Sequence, residues 1–367
     1  MTKIKALDSY IFIFREKFRT NLVNNCKYLN SLKHLLRKDC INLHFYYIHP
    51  GMIEILKTNE GLLEELRIDN IQEGSWINLV APSDEEIRNV SKALNLDEYF
   101  LHTCLDLDER SRIEIEDGHL LIIVNIPIMK DESNFDTLPI GIIFTSSAII
   151  TVCPKKNKII QSFSKETAKF FNTQNRVHFM LTILFRSAKF YLRDLNHINR
   201  YTDDIEERLR KTMGNTELFE LLEVQKSLVY FTTAIHNNHV MLQKLMRLAR
   251  RTIEVPGVHF NEDEIDLLEE VIIDNKQALD MVEMHRNVLE NMMDAFASII
   301  SNNVGYVVKF LTALTILFAI PTMFASFWGM NTAVPGGGSL EGFYIVTGAS
   351  LVATIVSAIL FMRKKML

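Results

Sequence analysis

Charge is missing from two stretches of this 367-residue chain. Phe310 to Trp328 holds no Asp, Glu, Lys or Arg, and neither does Phe343 to Met362. Charged residues make up 23% of the whole, so the gaps are local. Each run is about long enough to cross a bilayer core, which takes roughly 20 apolar residues. A pair of buried core helices would read the same way. Two such runs side by side near the C-terminus, split by a short loop, fit a membrane hairpin better.

Other absences narrow the function. Four cysteines (Cys26, Cys40, Cys104 and Cys153) form no CxxC pair and no metal-ligand spacing, which points to lone thiols in a reducing compartment. No GxxxxGK[ST] loop is present, so a nucleotide-driven pump is not expected. No nucleophile–base constellation stands out, so neither is an enzyme. The net charge of −5 comes without a basic patch interleaved with aromatics, and nucleic acid is not an expected partner. The first apolar patch, Tyr10 to Phe14, is far shorter than a signal-peptide core. The soluble part is therefore expected in the cytoplasm.

The charges that flank the runs orient them. Arg363, Lys364 and Lys365 follow the second run, Lys309 opens the first, and the loop between them carries only Glu341. Positive residues stay inside, which predicts cytoplasmic termini and an outer loop from Trp328 to Gly342 in a cell (inner) membrane protein.

Along the chain, residues 1 to about 70 mix short helical and strand-like pieces. WINLVAPSDEEIRNVSKAL, from Trp76, reads as a strand and then a helix to about Leu94, with Ser83 and Glu86 as a capping box. His119–Met129 and Leu138–Cys153 are rich in β-branched residues and read as buried strands. An α/β domain over residues 1–155 is expected. After Pro154 two amphipathic stretches, about Arg176–Met213 and Thr216–Arg251, read as long helices. VPGVHF breaks them, and Asn261 then caps a stretch with no glycine before Gly305 and no proline before Pro321. A helix of that length reaches about 90 Å and would run from the cytoplasm into the membrane. The expected divisions are a stalk over 156–303, a first span over 304–328, a loop over 329–342, a second span over 343–362 and a basic tail over 363–367.

Alternating steps of four and three along this helix pick out one face: Asn287, Asn291, Asp294, Ser298, Ser301, Gly305, Val308, Thr312, Thr315, Ala319, Thr322 and Ser326. All but Val308 are small or polar. Neighbouring faces carry Phe310, Leu314, Leu317, Phe318, Phe324 and Phe327. The stripe reads either as close helix packing or as the wall of a wet pore with Asp294 at its cytoplasmic end. The unbroken phase from soluble part into span favours the pore, which one helix cannot enclose, so identical chains must ring an axis. Hydroxyls without fixed charge suit an ion that keeps its water, as Mg²⁺ does. Zinc or copper would call for Cys or His, and the spans hold neither. His236 and His239, three apart on a helix, read as surface or packing residues. Inward flow needs no pump, because the membrane potential supplies about 2.3 kcal/mol per charge per 100 mV.

The first run closes on Gly329-Met330-Asn331, where Gly329 can take the left-handed turn that ends a helix. That tripeptide, with SNNVGYVVKFLT (Ser301–Thr312), WINLVAPSDEEI and LDLDERSRIEIEDGHLLIIV (Leu105–Val124), resembles the CorA-type magnesium transporters from about Trp76 to the C-terminus. The resemblance implies a funnel-shaped homopentamer. An α/β/α sandwich in an α+β cytoplasmic domain leads into long stalk helices and a two-helix transmembrane hairpin. It implies inward conduction of Mg²⁺, with Co²⁺ or Ni²⁺, and closure by cytoplasmic Mg²⁺ bound between subunits. Gly329, Met330 and Asn331 match the selectivity filter. Val308 and Leu311 fall at the apolar gate. Asp294 matches an acidic residue at the pore's cytoplasmic end, and Glu270 one of the regulatory site. Departures are Trp328 for a tyrosine, Gly305 for a pore asparagine, and His102-Thr103 where the regulatory site has an acidic pair, with Asp106 and Asp108 close by. The outer loop reads Pro335-Gly-Gly-Gly-Ser-Leu-Glu341, with Glu341 left as the negative charge at the mouth. A relative carrying Zn²⁺ or another divalent, and a membrane-anchored sensor that conducts nothing, are the alternatives.

Overall fold

The structure, a computed structural model, describes residues 52–131, 134–212, 214–251, 257–331, 339–364 and 366. The expectations for residues 1–51, including Cys26 and Cys40, lie outside the described residues, as do residues 332–338 of the expected outer loop and Lys365.

Stretches of alternating and β-branched residues form a seven-stranded sheet. Its strands are β1 (Met52–Asn59), β2 (Leu62–Glu65), β3 (Ser75–Val80), β4 (Arg112–Glu116), β5 (His119–Met129), β6 (Phe135–Phe144) and β7 (Ala148–Cys153). The spatial order is β2-β1-β3-β7-β6-β5-β4. Only β3 and β7 run parallel, so the chain must cross over between them. Two short helices, α1 (Asp84–Leu94) and α2 (Glu98–Thr103), follow β3.

The Ser83–Glu86 capping box is formed, and α1 ends at Leu94 as expected. The stretch Leu138–Cys153 is two strands, not one. Thr145 causes the split: its hydroxyl accepts from Ala148 N–H and donates to Ala148 C=O, folding residues 145–148 into a turn. The mixed reading before residue 70 resolves over its described part into the β1–β2 hairpin. Its two-residue turn, Glu60 and Gly61, has φ of 48° and 79°, the left-handed pair that matches strand twist.

Alternation along the strands sends side chains to two cores. In β5, Leu121 and Ile123 join Ile87, Val90, Phe100 and Leu101 of α1 and α2 on one face. Leu120, Ile122, Val124 and Ile126 point to the other face, against the long helices. α2 lies so close over β6 that a Cβ on Gly141 would stand 2.0 Å from Cys104 Sγ.

Beyond β7 come α3 (Lys158–Gln161), α4 (Arg176–Thr212), α5 (Asn215–Ala249), α6 (Glu262–Trp328) and α7 (Leu340–Arg363). α4, α5 and α6 share a separate core in which Leu195, Ile205, Leu228, Phe231, Val282 and Leu289 are buried. Asn261 caps α6 in a capping box with Glu264. At 67 residues α6 is about 100 Å long. The molecule is thus an α/β/α domain, three long helices, and a C-terminal pair of apolar helices.

Candidate functional site: the outer face of α6

The last part of α6 and all of α7 are each long and apolar enough to cross a membrane, and almost none of either is buried within the chain. The two helices pack together. On α6, Ala313 is buried and Leu314, Leu317, Ile320, Phe324 and Trp328 are half-buried. α7 meets them with small side chains: Gly342 and Ser350 are buried, and Ala353, Thr354 and Ser357 half-buried. Small residues let membrane helices approach closely. The sequence reading missed this seam, although Gly342, Val346, Ser350, Ala353 and Ser357 recur at steps of four and three.

The polar stripe is on the opposite side of α6. Val308, Thr312, Thr315, Ala319, Thr322 and Ser326 are exposed, Leu311 is exposed at its flank, and Gly305 is half-buried. Packing between the two helices of the hairpin therefore does not account for the stripe. Asn287, Asn291, Asp294, Ser298 and Ser301 continue it toward the soluble part, all exposed.

The hydroxyls have a set polarity. Thr312 Oγ1 donates to Val308 C=O at 2.8 Å, Thr315 Oγ1 to Leu311 C=O at 2.8 Å, and Thr322 Oγ1 to Phe318 C=O at 3.0 Å. With its proton spent on the backbone, each oxygen keeps lone pairs free to accept. Water bound to a cation turns its hydrogens outward. A wall of acceptors is what such a shell can bond to.

At the far end the helix stops at Trp328. The left-handed turn expected at Gly329 is absent, for its φ and ψ are −81° and 0°. The helix instead tightens as it ends: Gly329 N–H donates to Ala325 C=O at 2.9 Å, and Met330 N–H to Phe327 C=O at 3.4 Å. Those bonds satisfy the Ala325 and Phe327 carbonyls without a reversal of hand. Gly329, Met330 and Asn331 follow as exposed residues just past the helix end. Glu341 lies exposed in the first turn of α7, which Ser339 caps by accepting from Gly342 N–H at 3.1 Å.

The acidic residues stand apart. Glu270 is exposed on α6, whose Leu268 and Val271 join the core on the long-helix face of the sheet. Asp106 follows α2, on the other face, and its Oδ1 accepts from Asp108 N–H at 3.0 Å. Among the described residues no group of three His, Cys, Asp or Glu is placed to hold a metal within one chain. His239 is engaged with Gln243 at 2.9 Å, and burial lowers its pKa. Cys104 and Cys153 are buried, and burial raises both thiols, Cys153 to about 12. Both stay protonated near neutrality, which suits packing and not metal binding.

Comparison with known proteins places this geometry in a family. A family model described as "CorA-like Mg2+ transporter protein" matches residues 72–365. The cobalt/magnesium transport protein CorA of Methanocaldococcus jannaschii is 26% identical over 313 residues, covering 83% of this chain and 96% of the relative. That of Thermotoga maritima is 21% identical over 304 residues, covering 80% and 83%. The complete structure of the M. jannaschii CorA magnesium transporter superposes with a TM-score of 0.73 at 23% identity, over 85% of this chain and 98% of that one. The two share one fold over most of both chains, and with the family model matched over residues 72–365 the chain belongs to the CorA-like Mg²⁺ transporter protein family.

Proposed function

We propose that this protein is a channel that carries hydrated Mg²⁺ into the cytoplasm. Several copies, five by likeness to the family, place their α6 helices around an axis with the polar stripe facing inward. The observation that carries this reading is the exposed stripe on the side of α6 away from α7, ending at Asn331. α7 then forms an outer ring toward lipid. Residues 304–328 and 343–362 cross the membrane, 329–342 form the outer loop, and both termini lie in the cytoplasm. The α/β domain of residues 1–155 and the stalk of 156–303 lie there too, with the tail of 363–367.

An incoming ion meets Glu341, whose charge draws cations to the mouth, and then Asn331. Its amide oxygen accepts from the ion's water shell and leaves that shell in place, which suits an ion that dehydrates reluctantly. Gly329 and Met330 hold the asparagine at the rim. Below it Ser326, Thr322, Ala319, Thr315 and Thr312 line the path. Val308 and Leu311 form an apolar constriction that closes by dewetting, and Gly305 leaves room beneath it. Asp294 receives the ion at the cytoplasmic end. Two charges falling through 100 mV release about 4.6 kcal/mol, enough to drive uptake. Cytoplasmic Mg²⁺ bound by Glu270 of one subunit and Asp106 of the next holds the channel shut. Family membership supports transport of a divalent cation, with Co²⁺ and Ni²⁺ as further cargo.

Flux into proteoliposomes tests the reading. Wild type takes up Mg²⁺ down its gradient, and Asn331→Ala abolishes uptake or its discrimination among divalents. If Zn²⁺ moves while Mg²⁺ neither moves nor competes, the cargo is wrong. If the variant conducts and discriminates like wild type, the filter is wrong.

A further inference from the structure

The seam between α6 and α7 is packed at its outer end and opens at its inner end. One heptad before Ala313, the innermost buried residue of the seam on α6, stands Tyr306. One heptad beyond the half-buried Ser357 of α7 stands Lys364. Steps of a heptad keep a residue on the same face of a packed helix. Yet Tyr306 is 64% exposed and Lys364 is exposed, so the two helices no longer cover each other there. Each lies about 33 Å along its helix from the outer end of the seam, at Trp328 and Gly342. A bilayer's hydrocarbon core is about 30 Å thick, so the opening falls at the headgroups of the cytoplasmic leaflet.

Cations flank this opening. Lys309 stands one turn inward of Ala313, and its Nζ lies 5.6 Å from the centroid of the Tyr306 ring, within cation–π range. Arg363 and Lys364 end α7. The chain gives the three no acid nearby: none lies between Asp294 and Glu341, and none follows Glu341. Asp294 is about 22 Å from Lys309 along α6, and Glu341 is at the opposite end of the hairpin. Val307 and Phe310 stand exposed beside Lys309. One depth in the membrane thus combines unneutralised cations with an apolar surface. The C-terminus of α7 adds about half a negative charge, which three cations outweigh.

A basic segment beside a membrane is drawn to anionic lipid wherever its charges lie. The open seam adds geometry. Lys309 and Lys364 come to it from two helices, whereas Arg363 lies about 100° round α7 from Lys364, off the seam. We propose that the inner end of the seam holds one anionic phospholipid of the cytoplasmic leaflet. Its phosphate sits between the ammonium groups of Lys309 and Lys364, and an acyl chain lies along Val307 and Phe310. This rests on the reading that the hairpin crosses the membrane.

Spin-labelled phosphatidylglycerol and phosphatidylcholine test it in turn, in phosphatidylcholine vesicles carrying the full-length protein. Lipid held by protein gives a motionally restricted spectrum, which separates bound from free. Wild type is expected to prefer phosphatidylglycerol by at least about tenfold at one site per chain. Lys309→Gln and Lys364→Gln each lower that preference about fivefold, the scale of one cation at an anionic surface. Arg363→Gln removes the same charge one residue away and leaves the preference within about twofold. All three residues are exposed, so the variants keep the fold. The proposal is overturned if wild type holds both lipids alike, or if Arg363→Gln costs as much as Lys364→Gln, the mark of diffuse surface charge. A hairpin that did not span would restrict neither label, so failure of that reading is told apart from failure of this one.

Discussion

At Ile123 the edge of the sheet changes partners. β4 pairs with β5 only as far as Arg112 opposite Ile123, so the N–H and C=O of Asn125 face an edge without a strand. The side-chain amide of Asn238 on α5 fills the place. Its Oδ1 accepts from Asn125 N–H at 3.0 Å, and its Nδ2 donates to Asn125 C=O at 2.7 Å. Tyr191 Oη donates to the same carbonyl at 3.0 Å, and Ser111 Oγ donates to Asn238 Oδ1 at 2.6 Å. Asn238→Ala takes one hydrogen bond from each of two buried backbone groups that keep Tyr191 and Ser111 as partners, a loss of about 1 kcal/mol per bond. Thermal melting should show a lower midpoint for the variant, and an unchanged midpoint would mean that water replaces the amide. Nothing in the local sequence announces this pair, because 113 residues separate its members. The buried polar residues Asn78 and Thr151 did carry a signal. Each breaks the apolar alternation of a strand, and a polar residue at a core position is the informative exception.

At the scale of elements, the long helices were legible because their cause is local. Asn261 and Glu264 cap α6, and buried Leu268, Val271, Ala278, Val282 and Leu289 recur at steps of three, four and seven. The stripe was legible for the same reason, whereas its position relative to α7 was not. Which face of a helix meets its neighbour depends on small residues in the other chain segment. The end of α6 was misread because glycine permits a left-handed turn without requiring one. The proposed gate belongs to this scale as well. Val308 and Leu311 are the bulky apolar members of an otherwise small or polar wall, and each lends its carbonyl to a threonine one turn on. Val308→Thr with Leu311→Thr keeps the helix and removes the dewetting surface. Mg²⁺ uptake by proteoliposomes carrying this variant should rise above wild type when internal Mg²⁺ is high. Uptake that still shuts off as in wild type places the barrier elsewhere.

For the whole molecule, the proposed regulatory site needs a second copy. Glu270 and Asp106 belong to opposite faces of one sheet, so a cation held by both must take one from each of two subunits. Asp106→Ala with Glu270→Ala should raise the internal Mg²⁺ needed to stop uptake, read from flux against internal concentration. Closure at the wild-type concentration would remove these two residues from the site. A single chain carries no record of how many copies would close the proposed ring, since that number depends on the angle between identical neighbours. The continuity of α6 has a mechanical consequence. One helix runs from the three-helix core, which it leaves at Phe296, to its end at Trp328 about 48 Å away, so it behaves as a rod with its fulcrum in the stalk. A tilt of about 3° there sweeps the tip sideways by about 2.5 Å. On the proposed reading, strain that a bound cation puts on the stalk arrives at the mouth magnified, and a joint too small to disturb the core's packing is enough to widen or pinch the opening.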